Sequence, residues 1–204
     1  MPFPTDLGRK SLGCAFAMLL TVALVLPAPA YDSYLSEQAI RDAYFLGSQK
    51  GGLTAKLLAR YSHWVRELGQ GSCTTEIRLE TPFLQVADYT SKVPNYSSQD
   101  AVKAFHDKTM KFRIFLNVCY KQEAPPPNSV KITIIQNKRQ IEPSSDIREF
   151  YAEPINELFD LPANGERARL EFEAQKIDSS ELIIQIDTPD GQHSTTDFDL
   201  QTVR

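Results

Sequence analysis

Tryptophan, histidine and cysteine are scarce in this chain: one, three and three among 204 residues. Catalytic signatures are absent. There is no H-E-x-x-H, no G-x-S-x-G, no phosphate-binding G-x-x-x-x-G-K-[ST] and no dinucleotide fingerprint, so the common zinc, serine-nucleophile, nucleotide and dinucleotide chemistries have no local carrier. No clustered basic face is visible, and the formal charge is −4, which argues against nucleic acid. No internal repeat marks a solenoid or propeller. The longest apolar stretch falls short of the roughly 20 residues a membrane helix needs.

That stretch is part of an export signal. Arg9 and Lys10 precede it, residues 12–26 form it, and Ala28-Pro29-Ala30 supplies an A-x-A cleavage site, with the cut expected before Tyr31. Cys14 sits at the start of the apolar run rather than after it, which excludes a lipoprotein acceptor. Cleavage removes Asp6, Arg9 and Lys10 and makes the exported chain one charge more acidic. At 42% hydrophobic and 10% aromatic, the remainder is composed like a folded globular domain. The expected setting is periplasmic or secreted, with no stable membrane anchor after cleavage. The sequence identifies no partner; an envelope protein is one candidate.

The exported chain opens with helical signals. Ser36 is a good N-cap, with Ile40, Ala43 and Tyr44 on one face and Gly47 as a stop. Thr54 starts a second helix with the stripe Leu57, Leu58, Tyr61, Trp64, Val65 and Leu68, ended by Gly69. Trp64 is expected to be buried between this helical hairpin and a sheet. Thr75, Ile77 and Leu79 then alternate with charged residues as a half-buried strand, with Phe83, Leu84 and Val86 as its expected continuation past Pro82. A capped short helix from Ser97 follows. Phe112 to Tyr120 is the clearest strand. Residues 130–135 form another, with a turn at Asn137-Lys138. Residues 143–165 suit either a helical turn or an irregular strand. Alternation at Ala168 to Ala174, a strand at 182–186, a turn at Thr188-Pro189-Asp190-Gly191 and a last strand with Phe198 and Leu200 complete the reading.

The fold class expected is α+β: an N-terminal helical hairpin packed on a mostly antiparallel, immunoglobulin-like β-sandwich, with a barrel as the alternative. The boundaries are 1–30 for the signal peptide, 31–70 for the hairpin and 71–204 for the sandwich domain. Ala39 to Gly47, the second helix and Leu79-Glu80-Thr81-Pro82-Phe83 together resemble a group of exported bacterial proteins with no assigned function. The resemblance covers the N-terminal third of the exported chain. It implies a bacterial envelope and brings no catalytic residues.

Several residues invite chemistry and favour a plainer role. His63 and Glu67 share a helix face, without the further ligands zinc requires. His106 suits the end of the short helix. His193 follows a turn and should be solvated. Asp187, Asp190, Asp197 and Asp199 lack the calcium-loop spacing. Gly69-Gln70-Gly71-Ser72-Cys73 has neither the spacing nor the context of a nucleophile elbow. Lys108, Lys111, Arg113, Lys138 and Arg139 could form a basic patch, and Tyr31 with Tyr34 a contact. No catalytic residue, metal or cofactor is assigned. Cys73 and Cys119 are expected to form a disulfide, being the two cysteines left after cleavage in a chain bound for an oxidising space. Antiparallel pairing brings them to one end. Their strand parity is opposite, so a bulge or a loosened strand end near Gly71 is required. The leading reading is a non-catalytic envelope protein that binds through the sandwich. The rival is a hydrolase whose acid and base come from distant segments.

Overall fold

The computed structural model describes residues 33–50, 53–65, 75–121, 129–152 and 163–203. It is α+β, with two antiparallel sheets. Helix α1 (Glu37–Ser48) starts where expected, the Ser36 hydroxyl accepting the Ala39 N–H at 3.1 Å. The second helix is much shorter than its stripe predicts: α2 covers Ala55–Leu58, and Ser62–Val65 is strand β1. The apolar spacing of Leu57, Leu58, Tyr61 and Val65 fits a helix. Pairing of β1 with β2 (Thr75–Glu80) overrides it, setting Val65 opposite Thr75 and Trp64 opposite Glu76. Tyr61 and Val65 still reach the core, but Trp64 turns outward and is 57% exposed. The expected burial of Trp64 is therefore wrong. His63 moves with it to a strand, where its ring meets Phe198 edge-on.

The second correction follows Thr81-Pro82. Residues 82–92 do not extend a strand; they form helix α3 (Pro82–Lys92). Thr81 caps it through the Leu84 N–H, and proline suits the first helical position because its missing N–H has no partner to lose. Helix α4 (Ser98–Phe105) carries the capping box of Ser97 and Asp100. The helices share a small core of Leu35, Ile40, Ala43, Phe83, Val86 and Ala101. Helix α1 approaches α3 so closely that a Cβ at Gly47 would stand 2.1 Å from the Ala87 carbonyl oxygen.

Strands β3 (Lys111–Lys121), β4 (Lys131–Gln136), β5 (Arg139–Ile141), β6 (Ser145–Ala152), β7 (Ala163–Glu173), β8 (Glu181–Asp187) and β9 (His193–Asp199) complete the sheets. Sheet A has the order β1-β2-β3-β7-β6 and sheet B the order β5-β4-β8-β9. Of the two readings of residues 143–165, strand holds for β6; residues 153–162 lie outside those described. The Asn137-Lys138 turn has φ of 48° and 61°, and Gly191 has φ of 84°. Inward residues of both sheets form one core, with Ile77, Phe112, Ile114, Leu170 and Phe172 from sheet A facing Ile134, Leu182 and Ile184 from sheet B. Burial of these side chains, roughly 1.5–3 kcal/mol each, holds the sandwich together.

One polar clamp crosses that core. Glu166, on β7, is fully buried. Its carboxylate accepts the Val130 N–H and an Arg148 guanidinium N–H, both at 2.9 Å. Arg148 also donates to the Val130 carbonyl and, twice at 2.8 Å, to Asp146. The Asp146 hydrogen bonds hold the guanidinium above its ordinary pKa against the opposing effect of burial, and Glu166 adds to them. The clamp ties the entry to β4 onto sheet A.

Candidate functional site: the outer face of the five-stranded sheet

The alternation that fills the core leaves the other face of sheet A to solvent. Directly opposed residues share a face, so the register writes this face out row by row. One row reads Ser62, Arg78, Phe115, Arg169, Ile147. The next reads Trp64, Glu76, Asn117, Arg167, Glu149. On one side of these rows, Glu80, Arg113 and Glu171 stand in line; on the other, Cys119, Gly165 and Tyr151.

The two ends of the face differ in chemistry. Toward the start of β3, every cation has a carboxylate. Arg113 is held by Glu80 and by Glu171, each at 3.1 Å, and Lys111 pairs with Glu173. Toward the middle, the guanidinium groups lie on rings instead. Arg78 sits 4.9 Å from the Phe115 centroid and Arg167 sits 4.7 Å from that of Tyr151. A ring at that distance attracts the cation without neutralising its charge, so the guanidinium can still meet an anion. Tyr151 is fixed in turn. Its ring lies over Gly165, where a Cβ would meet it at 2.3 Å, and its hydroxyl donates to Asn117 Oδ1 at 2.6 Å.

Arg78, Phe115, Asn117 and Arg167 line a shallow trough of about 400 Å³. Arg78, Arg167, Arg169, Glu76 and Glu149 contribute to its walls, Arg148 being already held by Glu166 and Asp146, and Phe115 and Ile147 give apolar surface. Ile147 is half exposed. A small excess of arginine therefore sits in this trough on a chain that is acidic overall. Beneath Arg78, Phe115 and Arg167 the backbone offers no free edge, because β2, β3 and β7 each have hydrogen-bonded strands on both sides, whereas β6, which brings Ile147 and Glu149, is an edge strand of sheet A. Recognition there falls to side chains: guanidinium forks, the Asn117 amide and ring surfaces.

The residues singled out from sequence are mostly dispersed. Lys111 and Arg113 stand in the ion-paired half of this face, Lys108 lies over the Phe105 ring, and Lys138 and Arg139 are at the β4–β5 turn in sheet B, so the five do not make one patch. His106 is the C-cap of α4, 3.0 Å from Asp107. Asp197 and Asp199 are exposed on β9, and Asp190 bonds Thr188 and Gln192 within its turn. Among the described residues no three His, Cys, Asp or Glu side chains gather to hold a metal. Tyr34 is exposed, whereas Tyr31, Glu67 and residues 69–73 lie outside the described residues. Cys119 is buried and disulfide-bonded, and Cys14 and Cys73 are outside the described residues.

His193 has more company than expected. Its Nδ1 is 2.6 Å from Asp187 Oδ1, and its Nε2 is 3.2 Å from Thr195 Oγ1. The signal was present in the sequence: a hairpin turning at residues 188–192 puts 187 opposite 193 and leaves 195 on the same face. The order carboxylate–imidazole–hydroxyl is that of a catalytic triad. However, the His193 side chain is 57% exposed and the threonine is simply its neighbour along the strand face.

No protein-family model, no curated protein sequence and no solved structure matches this chain.

Proposed function

We propose that this chain is an exported, non-catalytic binding protein of the bacterial envelope, and that it binds through the outer face of sheet A. The observation that carries the reading is the pair Arg78 and Arg167, stacked on Phe115 and Tyr151 in an open trough rather than paired with carboxylates. Export is supported by Arg9-Lys10, the apolar run and Ala28-Pro29-Ala30. N-terminal sequencing of exported protein should begin at Tyr31. Immunoglobulin-like kinship belongs to the same proposal; two antiparallel sheets around one core support it. So does a Cys73–Cys119 disulfide. Cys119 is disulfide-bonded, and cleavage at the expected site would remove Cys14.

The test is photo-crosslinking in cells that export the protein, with benzophenone-alanine at position 115 or, on the outer face of sheet B, at position 195. Benzophenone inserts into C–H bonds of protein, glycan or lipid alike. Adducts from 115 and not from 195 support the reading. No adduct from 115, or equal adducts from both, would reject it. A hydrolase is the second reading, favoured by the Asp187–His193–Thr195 arrangement. It requires hydrolysis of an activated ester that disappears in His193→Ala.

A further inference from the structure

We infer that the trough on sheet A takes an anionic glycan, a polysaccharide bearing carboxylate or sulfate groups. The inference rests on the reading of this face as the binding face and names its ligand class. Two guanidinium groups lie against rings instead of carboxylates, and planar guanidinium forks match carboxylate and sulfate in bidentate fashion. Arg78 and Arg167 are two strands and one row apart, which places their Cα atoms about 12 Å from each other by standard sheet spacings. A ligand engaging both must therefore carry anionic groups at intervals along its length. Arg169, 3.5 Å from Glu171, stands between β3 and β6 beside Phe115 and adds a third cation. Glu76 and Glu149 stand at the flanks of the trough, and the arginines outnumber them.

The backbone beneath the two arginines helps distinguish a glycan from an acidic peptide. An extended peptide lying across Arg78 and Arg167 would find no strand edge there to pair its amides, because β2, β3 and β7 are hydrogen-bonded on both sides and the free edge on this side of sheet A is that of β6. A sugar polymer has no such requirement. Its ring C–H faces can rest on Phe115 and Ile147 while its hydroxyl groups stay in water. The chain as a whole is acidic, so attraction is local and should weaken steeply with salt.

Calorimetric titration of the full exported chain at low ionic strength tests this, with heparin, polygalacturonate, neutral dextran and poly-glutamate as probes. Binding of heparin, polygalacturonate or both is expected, with none of dextran and much weaker binding of poly-glutamate. Binding by only one of the two glycans identifies the anionic group as sulfate or carboxylate. Arg78→Gln with Arg167→Gln should weaken glycan binding at least about ten-fold, since charge-assisted hydrogen bonds are worth roughly 1.5–3 kcal/mol each. Arg78→Lys with Arg167→Lys should recover part of the loss. Lys138→Gln with Arg139→Gln, in sheet B, should change it less than about two-fold, within the usual scatter of surface substitutions. The inference is overturned if neither glycan binds, if poly-glutamate binds as tightly, or if the Lys138/Arg139 variant loses as much as the arginine pair. Failure here with adducts still forming at position 115 rejects the glycan and keeps the face; failure of both rejects the face.

Discussion

At the scale of single residues, Gly165 decides how the outer face of sheet A is furnished. Only glycine lets the Tyr151 ring lie flat across β7, and that ring carries Arg167. Gly165→Ala should push the ring aside and break its hydrogen bond to Asn117. A loss of about 1 kcal/mol is expected, the net worth of one such bond, measured as a lower denaturation midpoint with unchanged slope. An unchanged midpoint would show that Tyr151 is not held as described. Glu166 matters differently, because its carboxylate is buried. Glu166→Ala leaves the Val130 N–H without an acceptor and deprives Arg148 of its buried partner. Arg148 keeps Asp146, so the cost should be about 2–3 kcal/mol, below the 3–5 typical of a fully buried broken pair. A change under about 0.5 kcal/mol, the size of an ordinary surface substitution, would contradict the clamp.

At the scale of elements, caps and alternation are the legible features. Ser36 and Ser97 are readable because a cap involves only three or four consecutive residues. Strand β3 is readable because alternation is local. Helix α3 is hard to read from sequence because Pro82 looks like punctuation within a strand, whereas Thr81-Pro82 is also a helix start. Strand β1 was illegible for a deeper reason. Its four residues are fixed by β2, and a helical spacing with no tertiary partner in view looks the same as one overridden by pairing. The consequence is measurable. Trp64→Ala should cost about 0.5 kcal/mol, as at a surface, and not the roughly 3–5 of a core tryptophan. A core-sized loss would restore the helix. The capping box of α4 makes a pH prediction. Asp100 accepts from the Ser97 hydroxyl and backbone, and those bonds lower its pKa. A lowered folded pKa means the contribution is complete above the unfolded value, about 3.9, and fades as pH falls through the folded one. NMR titration of the Asp100 carboxyl should give a midpoint below 3.9; a midpoint at or above it would mean the box is not formed.

At the scale of the whole molecule, the sandwich places side chains from distant stretches side by side. Arg78, Phe115 and Arg167 lie on β2, β3 and β7, and only the order β2-β3-β7 makes them neighbours. Each was visible in the sequence as the polar or outward partner in an alternating strand. Their union was not, because strand order is a long-range property. The His193–Asp187 pair shows the contrast, since one hairpin joins it and the turn alone would have revealed it. Function follows the same division. The fold hides one face of sheet A in the core and presents the other as a trough with a small excess of arginine beside aromatic and aliphatic side chains. The most direct measurement of that claim repeats the position-115 crosslink in the exported protein with Arg78→Gln and Arg167→Gln present. The account predicts that the adduct formed by the parent protein falls to background while the melting temperature holds. An undiminished adduct would contradict it, because the ligand would then be held by something other than the two stacked arginines.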